Sequence, residues 1–207
     1  MASRICCIVE GQGEVQSVPA LIHRICSERA LNPPVIARPI RWGRDKLMKP
    51  GEAERAVQLA VKYAGASGGV LVLVDADDDC PAQAGPKLLA RARVAAGAVP
   101  VSVSLACREY ESWFLAAAEC FRGFHGLPAD LEAPGNSEEI RGAKEWLRKA
   151  GAPGGSYRPG VDQLPFTRRL EVVLARERSA SFRRFERVLL ELMEMLSPTS
   201  SVPEEAP

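Results

Sequence analysis

Two short acidic stretches carry the most chemistry in this sequence. Val9-Glu-Gly-Gln-Gly-Glu14 places the carboxylates of Glu10 and Glu14 on either side of a glycine turn. Val74-Asp-Ala-Asp-Asp-Asp79 closes an apolar run with Asp75 and Asp77 one residue apart, and Glu111 stands in Arg108-Glu-Tyr-Glu-Ser-Trp113. Side chains alternate along an extended chain, so Asp75 and Asp77 are expected to project to one side. Neighbouring strands lie ~4.8 Å apart, so Glu10, Asp75 and Asp77 converge if the two segments that end in them are adjacent. Carboxylates that close repel and push up the pKa of at least one member unless a cation sits between them. Hard oxygen ligands, with positions left for water and phosphate, favour magnesium or manganese over zinc. Glu14 and Glu111 are candidates for a second metal position, and two such ions ~3.5–4 Å apart can clamp the attacking and departing oxygens of a phosphodiester. D-x-D after a strand, taken singly, also serves as a helix cap or a solvated turn. The combination with a strand-end acid, a glycine turn and a second acid is what points to metal.

Substrate contacts are expected beside these acids. Gly11 and Gly13 precede a helix and can present backbone N–H groups to phosphate. Arg38, Arg41, Arg44, Lys46 and Lys49 face only Asp45 in their own segment. Among them Arg41, Arg44 and Lys46 are the expected phosphate contacts, with Trp42 or Tyr157 available for stacking. Eight arginines between Arg158 and Arg187 form a second basic cluster, interleaved with Glu171, Glu177 and Glu186 at spacings that also suit ion pairs along a helix.

The elements that must position these groups alternate through the first half. Arg4–Val9, Val35–Ile40, Val70–Val74 and Val99–Leu105 read as strands, the second near a sheet edge because of Pro39. Val70–Val74 is apolar at every position, the pattern of a central parallel strand covered on both faces. Glu14–Ala30, Ala53–Ala64 and Pro86–Ala96 carry apolar residues at helical spacing. The class that follows is α/β: an open, mainly parallel four-stranded sheet flanked by helices, whose functional groups gather beyond the carboxyl ends of the strands. Residues 1–106 form this core. Residues 107–196 form a helical C-terminal extension packed on it, with helices over Tyr110–Cys120, Ser137–Ala150, Phe166–Arg176 and Ser181–Leu196 and a loop over Gly151–Ser156. Residues 197–207, polar and proline-bearing, read as a disordered tail.

Composition narrows the function classes. The 207 residues hold 27 basic and 26 acidic side chains for a net charge of +1, so bulk charge does not make this a polycation that coats nucleic acid. The longest apolar run falls far short of the ~20 residues a bilayer crossing needs, and no signal-peptide pattern is seen, so a cytoplasmic protein without membrane attachment is expected. Six cysteines without a C-x-x-C pair, beside two histidines, signal neither a zinc knuckle nor a disulfide framework. Most are expected to be buried thiols. His23 and His125 match no ligand spacing. Trp113, Phe114, Trp146, Phe182 and Phe185 fall at helical positions and are expected to fill the core of the C-terminal part. The full G-x-G-x-x-G fingerprint is absent, as is G-x-x-x-x-G-K-[ST], which excludes the usual dinucleotide and P-loop NTP sites.

Val9-Glu-Gly-Gln-Gly-Glu14 followed by Val74-Asp-Ala-Asp77 resembles the Toprim signature, a strand-end glutamate with a glycine turn and then D-x-D. That fold is shared by topoisomerases, bacterial primases and the overcoming-lysogenisation-defect nucleases. More narrowly, Arg108-Glu-Tyr-Glu-Ser-Trp-Phe-Leu115, Tyr157 with Asp162-Gln163, and Ser179-Ala-Ser-Phe182 resemble a family of small bacterial Toprim-related proteins of unknown function, from about Arg4 to Leu196. The resemblance implies a magnesium-dependent nuclease site on Glu10, Asp75 and Asp77, with Glu14 and Glu111 following. Gly13 departs from it, because the nuclease pattern often has threonine there. Two other classes stay open. One is a non-catalytic module that partners a larger ATPase in bacterial defence; the other is a haloacid-dehalogenase-like phosphatase, although there D-x-D normally ends the first strand. A topoisomerase-style tyrosine nucleophile is not marked at Tyr63, Tyr110 or Tyr157.

Overall fold

A computed structural model describes residues 4–151 and 157–197. Four strands, β1 (Arg4–Val9), β2 (Val35–Arg41), β3 (Gly69–Asp75) and β4 (Val101–Ala106), form one sheet in the order β2-β1-β3-β4. All three pairings are parallel, with Val9 opposite Leu73 and Asp75 opposite Ala106. The chain leaves β1 for one side and returns to its other side at β3, so the strand order reverses between β1 and β3. Crevices open at that point, beyond the carboxyl ends of the strands. Pro39 sits in β2, an edge strand, where a missing N–H costs least.

Alternation along the strands divides the core. Cys6, Ile8, Val70, Val72, Val74, Val101 and Val103 meet α3 (Glu52–Ala64) and α4 (Pro81–Ala96) on one face. Ile5, Cys7, Val9, Leu71 and Leu73 meet α1 (Glu14–Glu28) and the C-terminal helices on the other. There α9 (Ala180–Met195) lies across β4 and β3, so one apolar cluster runs from α1 through the aromatic residues of the chain's second half. Trp113, Phe114, Phe182 and Phe185 are fully buried in it, and the Trp113 indole N–H donates to Ser181 Oγ at 2.8 Å. Burying four such side chains stabilises by ~1.5–3 kcal/mol each, which binds the second half to the sheet.

The second half departs from the helical periodicity in three places. The helix expected over Ser137–Ala150 is α6 (Ala143–Ala150), because Gly142 is left-handed (φ 73°) and stops it from extending backward. The helix expected over Phe166–Arg176 is two: α7 (Pro159–Arg169), begun by a proline in its first turn, and α8 (Val172–Arg178). They part at buried, extended Leu170, where the guanidinium of Arg24 donates to the freed carbonyls of Arg168 and Leu170. Tyr110–Cys120 holds a five-residue helix, α5 (Ser112–Ala116), followed by a 3-10 turn over Ala118–Phe121. A further short helix, α2 (Arg44–Leu47), follows β2. The loop expected over Gly151–Ser156 and the tail expected over 197–207 fall largely outside the described residues. Of the cysteines, Cys6, Cys7 and Cys26 are buried, Cys107 and Cys120 are half-buried and Cys80 is exposed; all are free thiols. Among the described residues no helix is long and apolar enough to cross a membrane.

Candidate functional site

The carboxyl ends of β1, β3 and β4 bring four acids together. Glu10 follows β1, and its Oε2 accepts the Asp75 backbone N–H at 3.2 Å, tying the two strand ends to each other. Asp75 ends β3 and is 7% exposed; its Oδ1 accepts the Tyr110 N–H at 2.8 Å. Glu14 opens α1 and accepts the Gly11 N–H on Oε2. Glu111, just before α5, is fully buried. Its Oε1 accepts from Tyr157 Oη at 2.9 Å and from Gln163 Nε2 at 3.2 Å, and the same Gln163 nitrogen reaches Glu14 Oε1 at 3.2 Å. Both neighbours are acceptors, so the amide must turn its nitrogen toward them. The buried Oε1 of Gln163 is then left without a donor.

Lys144, on α6, enters this cluster from the second half of the chain. Its Nζ lies 3.2 Å from Glu111 Oε2, 3.5 Å from Asp75 Oδ2 and 3.7 Å from Glu109 Oε2. Nothing in the local sequence marks it, since Arg141-Gly-Ala-Lys-Glu-Trp146 reads as an ordinary amphipathic stretch. Tyr157 and Gln163, in contrast, stand in segments that carry the family resemblance.

The electrostatics are those of an acid excess in a partly dry site. Burial pushes Glu10 up, and Asp77 and Glu14 add to the shift against the relief of the Asp75 N–H and Lys144. Burial holds Asp75 well above the usual carboxylate range, with Lys144 opposing and Glu111, Glu14 and Glu10 reinforcing. Glu111 is raised by burial against Lys144 and Tyr157. Burial disfavours the Lys144 ammonium, yet Glu111, Asp75 and Glu109 outweigh it and hold the pKa above the ordinary lysine value.

The remaining predicted residues sit around this centre in different ways. Asp77 does not continue the strand alternation. β3 ends at Asp75, and Asp77 takes a left-handed turn (φ 49°) with its side chain 54% exposed. It remains close enough to raise the Glu10 pKa. Arg44 is drawn to the acids, pairing with Asp77 at 3.4 Å and with Asp79. Lys46 is turned elsewhere, 3.5 Å from Glu52 and 4.2 Å from the Trp42 ring. Arg41 is exposed beside Val9, with no hydrogen bond or ion pair from its side chain among the described residues. The Gly11 N–H, expected to face phosphate, is taken by Glu14. A Cβ at Gly13 would collide with Gln163 Oε1 and the Pro159 carbonyl, so glycine there permits the close approach of α7 to α1.

The donor chemistry suits magnesium or manganese: four carboxylates, all hard oxygen donors, with an ammonium standing where cationic charge is needed. As the side chains stand, no group of three His, Cys, Asp or Glu among the described residues could hold a metal ion. A divalent ion therefore requires these carboxylates to draw inward and Lys144 to give ground.

Fold and site together define a parallel α/β protein with an acidic centre, opposed by one lysine, at its topological switch point. The chain belongs to the family described as a domain of unknown function (DUF4276), whose model matches residues 9–190 and so spans both the sheet and its helical extension. No curated protein and no solved structure matches the chain.

Proposed function

We propose that this protein is a magnesium- or manganese-dependent phosphodiester-cleaving enzyme, a nuclease of Toprim type, acting at the rim formed by Glu10, Asp75 and Asp77. The observation that carries the reading is the convergence of Glu10, Glu14, Asp75 and Glu111 from separate segments on one partly buried spot, opposed at its centre by a single ammonium. Glu10, Asp75 and Asp77 would hold the ion, with Glu14 and Glu111 beside them, and when bound it supplies a water of lowered pKa and positive charge for the phosphate oxygens. Alternatively Glu10 leaves the ion to Asp75 and Asp77 and orients the attacking water, a role that the raised pKa of its metal-free carboxyl suits. Gln163 and Tyr157 position Glu14 and Glu111. Arg41, exposed beside the end of β1, is placed to meet a phosphate. A reducing, cytoplasmic setting agrees with the free thiols.

Single- and double-stranded DNA and RNA incubated with magnesium or manganese, beside Asp75→Asn, test this. Cleavage by the wild-type chain that the substitution abolishes is expected. Cleavage indifferent to Asp75→Asn, or no uptake of either ion by calorimetry, rejects it. One observation favours a second reading. Because Lys144 already neutralises part of the cluster, the fold can serve as a non-catalytic partner of a larger ATPase, and a cluster that takes up no divalent ion would support that role.

A further inference from the structure

A second site lies on the same rim, one residue beyond the acids. Ala106 pairs with Asp75, and the next residue, Cys107, lines a cavity of about 600 Å³ together with Cys80, Glu138, Arg183, Arg184 and Arg187. The volume is in the range of sites that hold nucleotide-sized ligands. We propose that this cavity binds the phosphate backbone of a nucleic-acid strand.

Charge carries the argument. The eight arginines of the second basic cluster are divided by the fold. Arg176 is spent on Glu28 and Glu186, Arg178 on Glu119 and Arg158 on Asp162, while Arg169 donates to the Cys120 carbonyl and exposed Arg168 lies outside the cavity. Arg183, Arg184 and Arg187 line the cavity, Arg183 and Arg187 at its border with a neighbouring groove that holds Glu191 and Glu194. The Arg183 guanidinium donates to two carbonyls, of Arg176 and Glu177, which hold it in place without neutralising it. Arg184 is half-buried, with no hydrogen bond or ion pair from its side chain among the described residues. Arg187 has only a 3.7 Å contact with Glu191 one turn on, an exposed pair of small value. Glu138, the acid of the lining, is committed, because its Oε1 accepts from Ser179 Oγ at 2.6 Å and from the Ser181 N–H at 2.7 Å. Three guanidiniums thus face one carboxylate that is held in place but keeps its charge, so the lining is cationic by two, and the first turn of α4 adds an N-terminus with no acid in it. By comparison, Arg44 and Lys46 of the first basic cluster already hold acidic partners.

The choice of nucleic acid as the anion rests on the nuclease reading; the positive charge of the cavity does not. Fluorescence anisotropy with a short labelled single-stranded oligonucleotide, in the presence of a chelator so that nothing is cut, separates the two. The double variant Arg184→Gln/Arg187→Gln should bind about tenfold more weakly, with a log–log salt slope reduced by roughly 1.4 for two lost phosphate contacts. A charge removal on α3, Lys62→Gln, should leave binding unchanged. Melting curves should confirm that the double variant is folded, since it removes only one exposed ion pair. Equal affinity of wild type and double variant, or no oligonucleotide binding by the wild type, overturns the proposal. Arginine-dependent binding without any metal-dependent cleavage would reject the nuclease reading and leave this site standing.

Discussion

Two buried carboxylate clusters in this molecule behave in opposite ways. At the junction of α1, α8 and α9, Glu186 is 3% exposed and lies between two guanidiniums, Arg29 at 2.8 Å and Arg176 at 2.6 Å, while Arg176 also reaches Glu28. Burial pushes Glu186 up, but the two arginines outweigh it and its pKa falls below the ordinary value. At the strand ends, Glu10, Asp75 and Glu111 share one lysine, burial wins, and all three are raised. Burial is met in one place by as many guanidiniums as carboxylates and in the other by one ammonium for three raised acids. The first cluster joins helices; the second keeps an unmet demand for positive charge, as expected where charge is to be bound rather than merely balanced.

The largest separation between the clusters should appear in cleavage. Asp75→Asn is expected to lower the metal-dependent rate by roughly 10³-fold or more, corresponding to ~4 kcal/mol of lost transition-state stabilisation. Glu186→Gln should leave the rate per folded molecule intact. A comparable fall in both variants would erase the distinction.

Stability should rank them the other way. Glu186→Gln takes the charged partner from Arg29 and leaves Arg176 with Glu28 alone, and is expected to cost about 2 kcal/mol, lowering the melting temperature by roughly 4–8 °C. Removing the rim's lysine by Lys144→Met should cost about 2 kcal/mol while the rim carboxylates are ionised, and less as the pH falls and the raised carboxylates take up protons. Saturating magnesium should recover most of that loss if the cluster binds the ion. Thermal denaturation with and without metal measures each value. A Lys144→Met variant whose stability is independent of both pH and magnesium would show that the lysine balances nothing.

The smallest effect concerns pH. A depressed carboxylate such as Glu186 contributes stability above its unfolded pKa and loses it as pH falls through the folded one. Raised carboxylates contribute in the opposite sense: their stabilisation is full below the ordinary carboxylate range and is lost as pH rises through their folded values. Metal-free Asp75→Asn should therefore melt higher than wild type near pH 8, by about 1 kcal/mol or 2–4 °C, and the gap should close toward acid. A gap that widens in acid would mean that Lys144 fully satisfies Asp75.

Much of this arrangement was legible residue by residue. The apolar run at Val70–Val74 announced a strand covered on both faces, Pro39 announced an edge, and the strand-end acids marked the residues that meet beyond β1 and β3. Asp77 was misjudged in detail, because alternation holds only while the chain stays extended and a left-handed turn intervenes one residue past Asp75. The helix expected from Ser137 stops short at Gly142, whose positive φ is a backbone property that apolar periodicity does not record. Sequence ranks the first basic cluster ahead of the second, because only Asp45 opposes it in its own segment; Arg44 and Lys46 depart from that ranking, since their acidic partners Asp77, Asp79 and Glu52 lie on other elements.

Periodicity, turn residues and the order of strands and helices determine the parallel sheet and the end of it at which the acids gather, because these are local properties carried by neighbouring residues. Only the tertiary structure decided that Lys144 stands among Asp75, Glu109 and Glu111, that Gln163 bridges Glu14 and Glu111, and that Arg184 is left without an acid. Those contacts join residues far apart in the chain, and their energies depend on burial and on distances of a few ångströms, quantities that exist once the helices have packed across the sheet.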